Sequence, residues 1–228
     1  MDTLVDGKER LLLIDTCGET AGVALSLGRQ VVATEDLVRG SASAEIVSAV
    51  RRLLAEVGWR LAELDAVGVV SGPGSFTGMR AGLAAAKGLC EAAGLPMAAA
   101  SRLEVLADAG ALAAASLEDG LVALDAGRGE LYVREVRGSR EWLCSRDEFE
   151  GMADGRLVVV AEERVAERLA GCQIVLRSLH VRDALAVVMR RRLAGGDDVS
   201  LVDANYVREE SDIYRKAADL AKSSRAGA

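Results

Sequence analysis

Apolar residues open the chain in short dense runs, and the first, Leu11-Leu12-Leu13-Ile14, has no polar position, the pattern of a strand buried on both faces. Asp15-Thr16-Cys17-Gly18-Glu19-Thr20 turns it around, and residues 23–27 and 30–37 read as two more strands joined at Gly28-Arg29. The period then lengthens. Ile46, Val47, Val50, Leu53, Leu54 and Val57 recur at helical spacing, and Gly58 supplies a C-terminal stop. A strand over residues 66–70 runs into Ser71-Gly-Pro-Gly-Ser-Phe-Thr-Gly-Met-Arg-Ala-Gly82. A helix over 76–93 follows, with Phe76, Met79, Leu83, Ala86 and Cys90 on one face and Gly78, Gly82 and Ala85 on another. Residues 97–100 add a fifth strand, giving the order βββαβαβ.

The same order starts again further on. Leu121-Val122-Ala123-Leu124-Asp125 repeats an apolar run ending in Asp, and residues 130–136 repeat the returning strand. Residues 157–161 read as a strand, and 162–169 and 184–193 as helices. Two α/β units are therefore expected, residues 1–105 and a smaller 106–202, joined by an alanine-rich helical link over 103–118. Residues 203–228 form a polar tail whose end is expected to be flexible.

Composition narrows the chemistry. Half of the 228 residues are hydrophobic but only 3% are aromatic, so small aliphatic side chains must fill the core. A net charge of −7 argues against an extensive phosphate-binding face, so nucleic acid is expected to reach the chain through a partner. The four cysteines form no Cys-x-x-Cys pair, as suits free thiols in a reducing compartment. No stretch approaches the roughly 18 apolar residues that span a bilayer, so a cytoplasmic protein with no membrane partner is expected. His180 is the single histidine, which removes paired-His metal sites, His-Glu-x-x-His proteases and most Ser-His-Asp arrangements; it reads as a surface or lobe-packing residue. The strand, glycine turn and helix at 66–93 form a junction that in α/β proteins holds anions or partners. Gly78 is followed by Met79 in place of the Lys-Ser or Lys-Thr of a P-loop, and Ser75 lacks the flanking glycines of a nucleophile elbow.

Ile14-Asp15-Thr16, Ser71-Gly-Pro-Gly-Ser-Phe-Thr-Gly-Met-Arg80, Ala86-Lys87-Gly88-Leu89 and Asp125-Ala-Gly-Arg128-Gly-Glu130-Leu-Tyr132 together resemble the TsaB (YeaZ) family, over about residues 10–208. The resemblance implies an α/β fold of two actin-like lobes, of the sugar-kinase and heat-shock ATPase superfamily, each a mixed βββαβαβ sheet with flanking helices. It implies a non-catalytic dimerisation and scaffold subunit that binds a TsaD-like transferase. That partner moves a threonylcarbamoyl group to the adenosine beside the anticodon of tRNA. A TsaE-like ATPase docks on the pair, tRNA is met indirectly through the complex, and the chain pairs with itself when alone. No cofactor is implied for the chain by itself, and ATP or ADP only in the complex.

The resemblance also implies a partner interface on the helices 44–57 and 76–93 and the glycine turn. It carries Glu45, Val50, Leu54, Gly72, Gly74, Ser75, Phe76, Thr77, Gly78, Arg80, Gly82 and Ala85, the small residues letting another helix come close. Asp15, Thr16 and Thr20 stand where an actin-like hairpin turns around a nucleotide phosphate, or are ordinary turn formers. Asp125, Arg128, Glu130 and Tyr132 order the second lobe's first hairpin. Arg80 meets a carboxylate or phosphate across an interface, or pairs with Glu56; Arg190-Arg191-Arg192 forms a solvated helix face or meets tRNA phosphate. Where the sister subunit carries a metal-binding His-x-x-x-His, this chain reads Ser101-Arg102-Leu103-Glu104-Val105, so no metal is expected. Two departures from the family pattern are Ser43-Ala44-Glu45 in place of His-Ser-Glu, and Ala204 in place of Pro before Tyr206 and Arg208. The rival readings are an independent ATP-dependent phosphotransferase, which predicts tight ATP binding and loss of turnover in Asp15→Ala, and a metallopeptidase, which predicts stoichiometric zinc or iron.

Overall fold

A computed structural model describes residues 8–38, 42–113 and 119–207. Arg208 and the rest of the tail lie outside the described residues, as do residues 114–118 of the link and the side chain of Ser43. The first lobe contains β1 (Arg10–Asp15), β2 (Ala21–Leu27), β3 (Gln30–Leu37), α1 (Ala42–Glu56), β4 (Ala66–Gly72), α2 (Phe76–Ala93) and β5 (Met97–Ser101). Its sheet runs β3-β2-β1-β4-β5, antiparallel through the meander and parallel from β1 to β5. The fully apolar run places β1 at the centre, with Leu11, Leu12 and Leu13 at 0% exposure, while β3 alternates between buried and exposed at the edge.

After α3 (Arg102–Ala113) come β6 (Leu121–Gly127), β7 (Glu130–Glu135), β8 (Glu141–Ser145), α4 (Arg146–Ala153), β9 (Leu157–Val160), α5 (Glu163–Arg168) and β10 (Gln173–Leu176). The second sheet runs β10-β9-β6-β7-β8, so the two lobes share one strand order as well as the βββαβαβ sequence. Sequence patterning misses β8, α4 and β10. Both strands lie at sheet edges and are largely half-buried, and α4 is an eight-residue helix whose first turn is fixed by the reciprocal Ser145 and Glu148 cap, a polar signal.

The chain then returns to the first lobe. A 3-10 turn (Val181–Ala184) and α6 (Leu185–Leu193) bury Val181, Ala184, Val187 and Val188 in the core that also contains β1, β4 and β5. Gly68 makes room for this packing, because a Cβ there would overlap Val188 and press on Leu13. Arg190 pairs with Asp108 and Glu104, Arg191 with Glu104, and Arg192 lies 3.9 Å from Glu9. Arg190 and Arg191 thus remain solvated while pairing with carboxylates of α3, and Arg192 reaches Glu9 just ahead of β1. Asp197 accepts a 2.7 Å hydrogen bond from Ala99 N, and Asn205 N donates to Ser71 O at 2.8 Å. The 106–202 span thus holds more than the second lobe, since residues 181–193 complete the first lobe's core.

Candidate functional site

The glycine turn is built against the β1–β2 turn of its own lobe. Ser75 caps α2, with Gly78 N donating to its hydroxyl at 3.2 Å, and Ser75 N donates to Cys17 O at 2.8 Å. Thr16 Oγ1 donates to Gly78 O at 2.6 Å, and Cys17 Sγ to Val70 O at 3.1 Å. A Cβ on Gly78 would overlap the Thr16 carbonyl oxygen, and one on Gly82 the Thr16 hydroxyl. The small residues therefore let α2 approach its own lobe and leave no groove for a second helix at Gly78 and Gly82, contrary to the expectation from sequence. Gly72 and Gly74 face inward in the same way, against Met79 and Cys17.

Val50 and Leu54 also leave the expected interface, because at 1% and 7% exposure they belong to the lobe's core. Ser75, Phe76, Thr77 and Arg80 face outward, while Glu45 and Ala85 are half-buried. Val47 shares the apolar period of α1 yet is 48% exposed. Arg80 reaches Phe76 and Tyr206, not Glu56.

A cleft of about 340 Å³ separates the lobes. Cys17, Gly18, Glu19, Gly74 and Ser75 line it from one side, and Asp125, Ala126, Gly127, Tyr132, Glu162 and Arg164 from the other. Arg102, at the start of α3, donates from Nη1 to Glu162 Oε1 at 3.0 Å, with both side chains almost fully buried. Its guanidinium lies over Gly18, where a Cβ would crowd it. Nothing local flags this pair in the sequence, since its members are 60 residues apart.

Asp15, Thr16 and Thr20 do not line the cleft. Asp15 is 3% exposed and accepts a 2.9 Å hydrogen bond from Cys17 N; burial pushes its carboxyl up, and the charge of Arg102 opposes the rise. Burial foremost, with the Asp15 charge, pushes the Cys17 thiol well above its ordinary range. Thr20 Oγ1 donates to Leu179 O at 2.5 Å, so with Thr16 bound to Gly78 both hydroxyl hydrogens are committed within the chain. The expected phosphate contacts are thus occupied by internal bonds.

In the second lobe, Asp125 pairs with Arg168 at 2.6 Å and Arg164 at 3.4 Å. Burial raises its pKa, but the Arg168 hydrogen bond and the Gly127 N–H outweigh this and hold the carboxyl below its usual range. Stability from Asp125 is therefore full above its unfolded pKa and lost as pH falls through the lower folded value. Urea melts should show Asp125→Asn less stable than the parent at pH 7, with the difference shrinking toward pH 3. An unchanged difference would contradict the ion-pair origin. Arg128 sits at φ 55° in the β6–β7 turn, Glu130 lies opposite Ser145, and Tyr132 lies between Leu124 and Leu143. His180 is half-buried and caps the 3-10 turn, its backbone N–H donating to Asp183 at 2.8 Å. Among the described residues no cluster of three His, Cys, Asp or Glu side chains could hold a metal ion.

A family model described as TsaD, tRNA N6-adenosine threonylcarbamoyltransferase, matches residues 38–154. The tRNA threonylcarbamoyladenosine biosynthesis protein TsaB of Escherichia coli is 34% identical over 149 residues, 65% of this chain and 64% of that protein. Its Bacillus subtilis namesake is 35% identical over 125 residues, 54% of this chain and 52% of its own length. The chain thus spans between half and two thirds of the length of these curated relatives. A solved Pseudomonas aeruginosa protein described as similar to peptidase YEAZ superposes with a TM-score of 0.72 at 26% identity, covering 88% of this chain and all of that one. YeaZ from the same organism gives 0.69 at 23% identity, covering 87% and 99%, a likeness of fold.

Proposed function

Because the chain belongs to the TsaB (YeaZ) family, we propose that it is a non-catalytic scaffold subunit for threonylcarbamoylation of the adenosine next to the tRNA anticodon, acting by binding a TsaD-like transferase. The observation that carries this reading is the exposure of Val47 on α1, at 48%, and of Phe76 on α2, at 55%, the latter together with Thr77 and Arg80. Their helices pack on each other, with inner faces fully used by the lobe. In the assembly a TsaE-like ATPase docks on the pair, nucleotide is met only in the complex, and tRNA is reached through the partner. The same face pairs two copies when the chain is alone. The work is cytoplasmic, in keeping with the absence, among the described residues, of a helix long and apolar enough to cross a membrane.

An independent phosphotransferase is disfavoured. Of the two arginines lining the cleft, Arg102 is bound to Glu162 and Arg164 to Asp125, and Glu19 adds a further negative charge. The test is a sizing-column and tRNA-modification assay with the cognate TsaD-like protein. The parent chain should co-elute with the partner and raise modification. Val47→Glu should melt within about 0.5 kcal/mol of the parent yet lose the complex. Failure of the parent to bind and to stimulate modification overturns the proposal.

A further inference from the structure

At the outer end of α2 the guanidinium of Arg80 is held from two sides. Its carbon lies 3.9 Å from the Phe76 ring centroid and 5.9 Å from that of Tyr206, and the two rings stand 6.0 Å apart. Arg80 Nε donates to Tyr206 Oη at 2.8 Å. Tyr206 is fixed in turn by its neighbour. Asn205 N bonds to Ser71 O at the end of β4, and Asn205 Nδ2 donates to Glu141 Oε2 of the second lobe at 2.7 Å. The C-terminal segment thus anchors the tyrosine on both lobes, and the tyrosine orients the arginine.

This arrangement uses the Nε edge of Arg80 and forms no ion pair to it among the described residues. The planar fork of two Nη groups matches a carboxylate in a bidentate pair, and a pre-oriented arginine loses little rotamer freedom on pairing. Phe76 and Tyr206, 55% and 40% exposed, supply apolar walls that shield such a bond from water. Resting on the scaffold reading above, we propose that Phe76, Arg80 and Tyr206 form a pre-organised receptor for an Asp or Glu side chain of the partner protein. The segment carrying Tyr206 thereby belongs to the interaction surface with α1 and α2. A protein carboxylate is favoured over an RNA phosphate because the chain carries a net charge of −7, which opposes approach of a polyanion.

Calorimetry with the cognate TsaD-like protein tests this on the full chain, at low and at moderate salt. Arg80→Met should weaken binding by one to two orders of magnitude and flatten its salt dependence. Arg80→Lys keeps the charge but not the fork and should still lose about tenfold. Tyr206→Phe keeps the ring but frees the guanidinium and should lose several-fold. Equal affinity of the parent, Arg80→Met and Arg80→Lys would overturn the receptor while leaving the scaffold reading intact. A parent chain that does not bind overturns both. Fluorescence polarisation with labelled tRNA is the second arm, and parent binding that Arg80→Met abolishes would make the site a phosphate contact and overturn the carboxylate assignment.

Discussion

Gly78→Ala should sharply destabilise the isolated chain, although alanine is the better helix former by about 1 kcal/mol. The new Cβ would overlap the backbone carbonyl oxygen of Thr16, which cannot rotate away because it belongs to the turn between β1 and β2. Accommodation requires α2 to lift from that turn. The shift would strain the Thr16 hydroxyl bond to Gly78 O and the Ser75 N bond to Cys17 O together. A net loss near 3 kcal/mol, the upper part of the usual range for over-packing, is expected in a urea melt. Gly88 in the same helix has open space around its would-be Cβ, so Gly88→Ala should stabilise by up to about 1 kcal/mol. If Gly78 served only a partner helix, both variants would gain stability, so the opposite signs decide the question.

Arg102→Met should produce the other large effect. Glu162 and Asp15 are 4% and 3% exposed, and removing the arginine leaves a buried carboxylate without its counter-charge. Breaking a buried pair from one side costs about 3–5 kcal/mol, which for a chain of this size lowers the melting temperature by roughly 10 °C. The double variant Arg102→Met with Glu162→Leu should recover most of the loss, since the second change removes the stranded charge. The pH dependence has a definite sign. Burial already raises the Asp15 carboxyl and Arg102 opposes that rise, so with the arginine gone the folded-state pKa of Asp15 rises further above its unfolded value, and this part of the penalty is present at neutral pH and fades as pH falls through the folded pKa. A deficit that grows on acidification would contradict this origin.

The first lobe is legible in the sequence because its strands are dense apolar runs and α2 is bounded by the Ser75 cap and by Gly94 in the left-handed region. The second lobe is legible at its centre, where β6 and β9 are apolar, and not at its edges, where Glu141-Trp142-Leu143 and Gln173-Ile174 mix polar with apolar positions. Spacing located the small residues of α2 but could not say what fills the space beside them, because a helix face does not name its neighbour. Arg80 stood out within the motif, whereas Tyr206 lies 126 residues away and only tertiary structure joins them. Arg102 and Glu162 carry no local signal for the same reason.

One consequence follows from α6 lying on the first sheet. A chain still leaving the ribosome can pair all five strands of that sheet once residue 101 has emerged, but the face of β4 and β5 on which α6 packs, Gly68 included, stays bare until residues 185–193 have been made. The lobe that presents α1 and α2 is thus encoded first and finished last. A nascent chain cut short before α6 would expose an apolar sheet, so the lobe that bears α1 and α2 is closed only once residues 185–193 have been made.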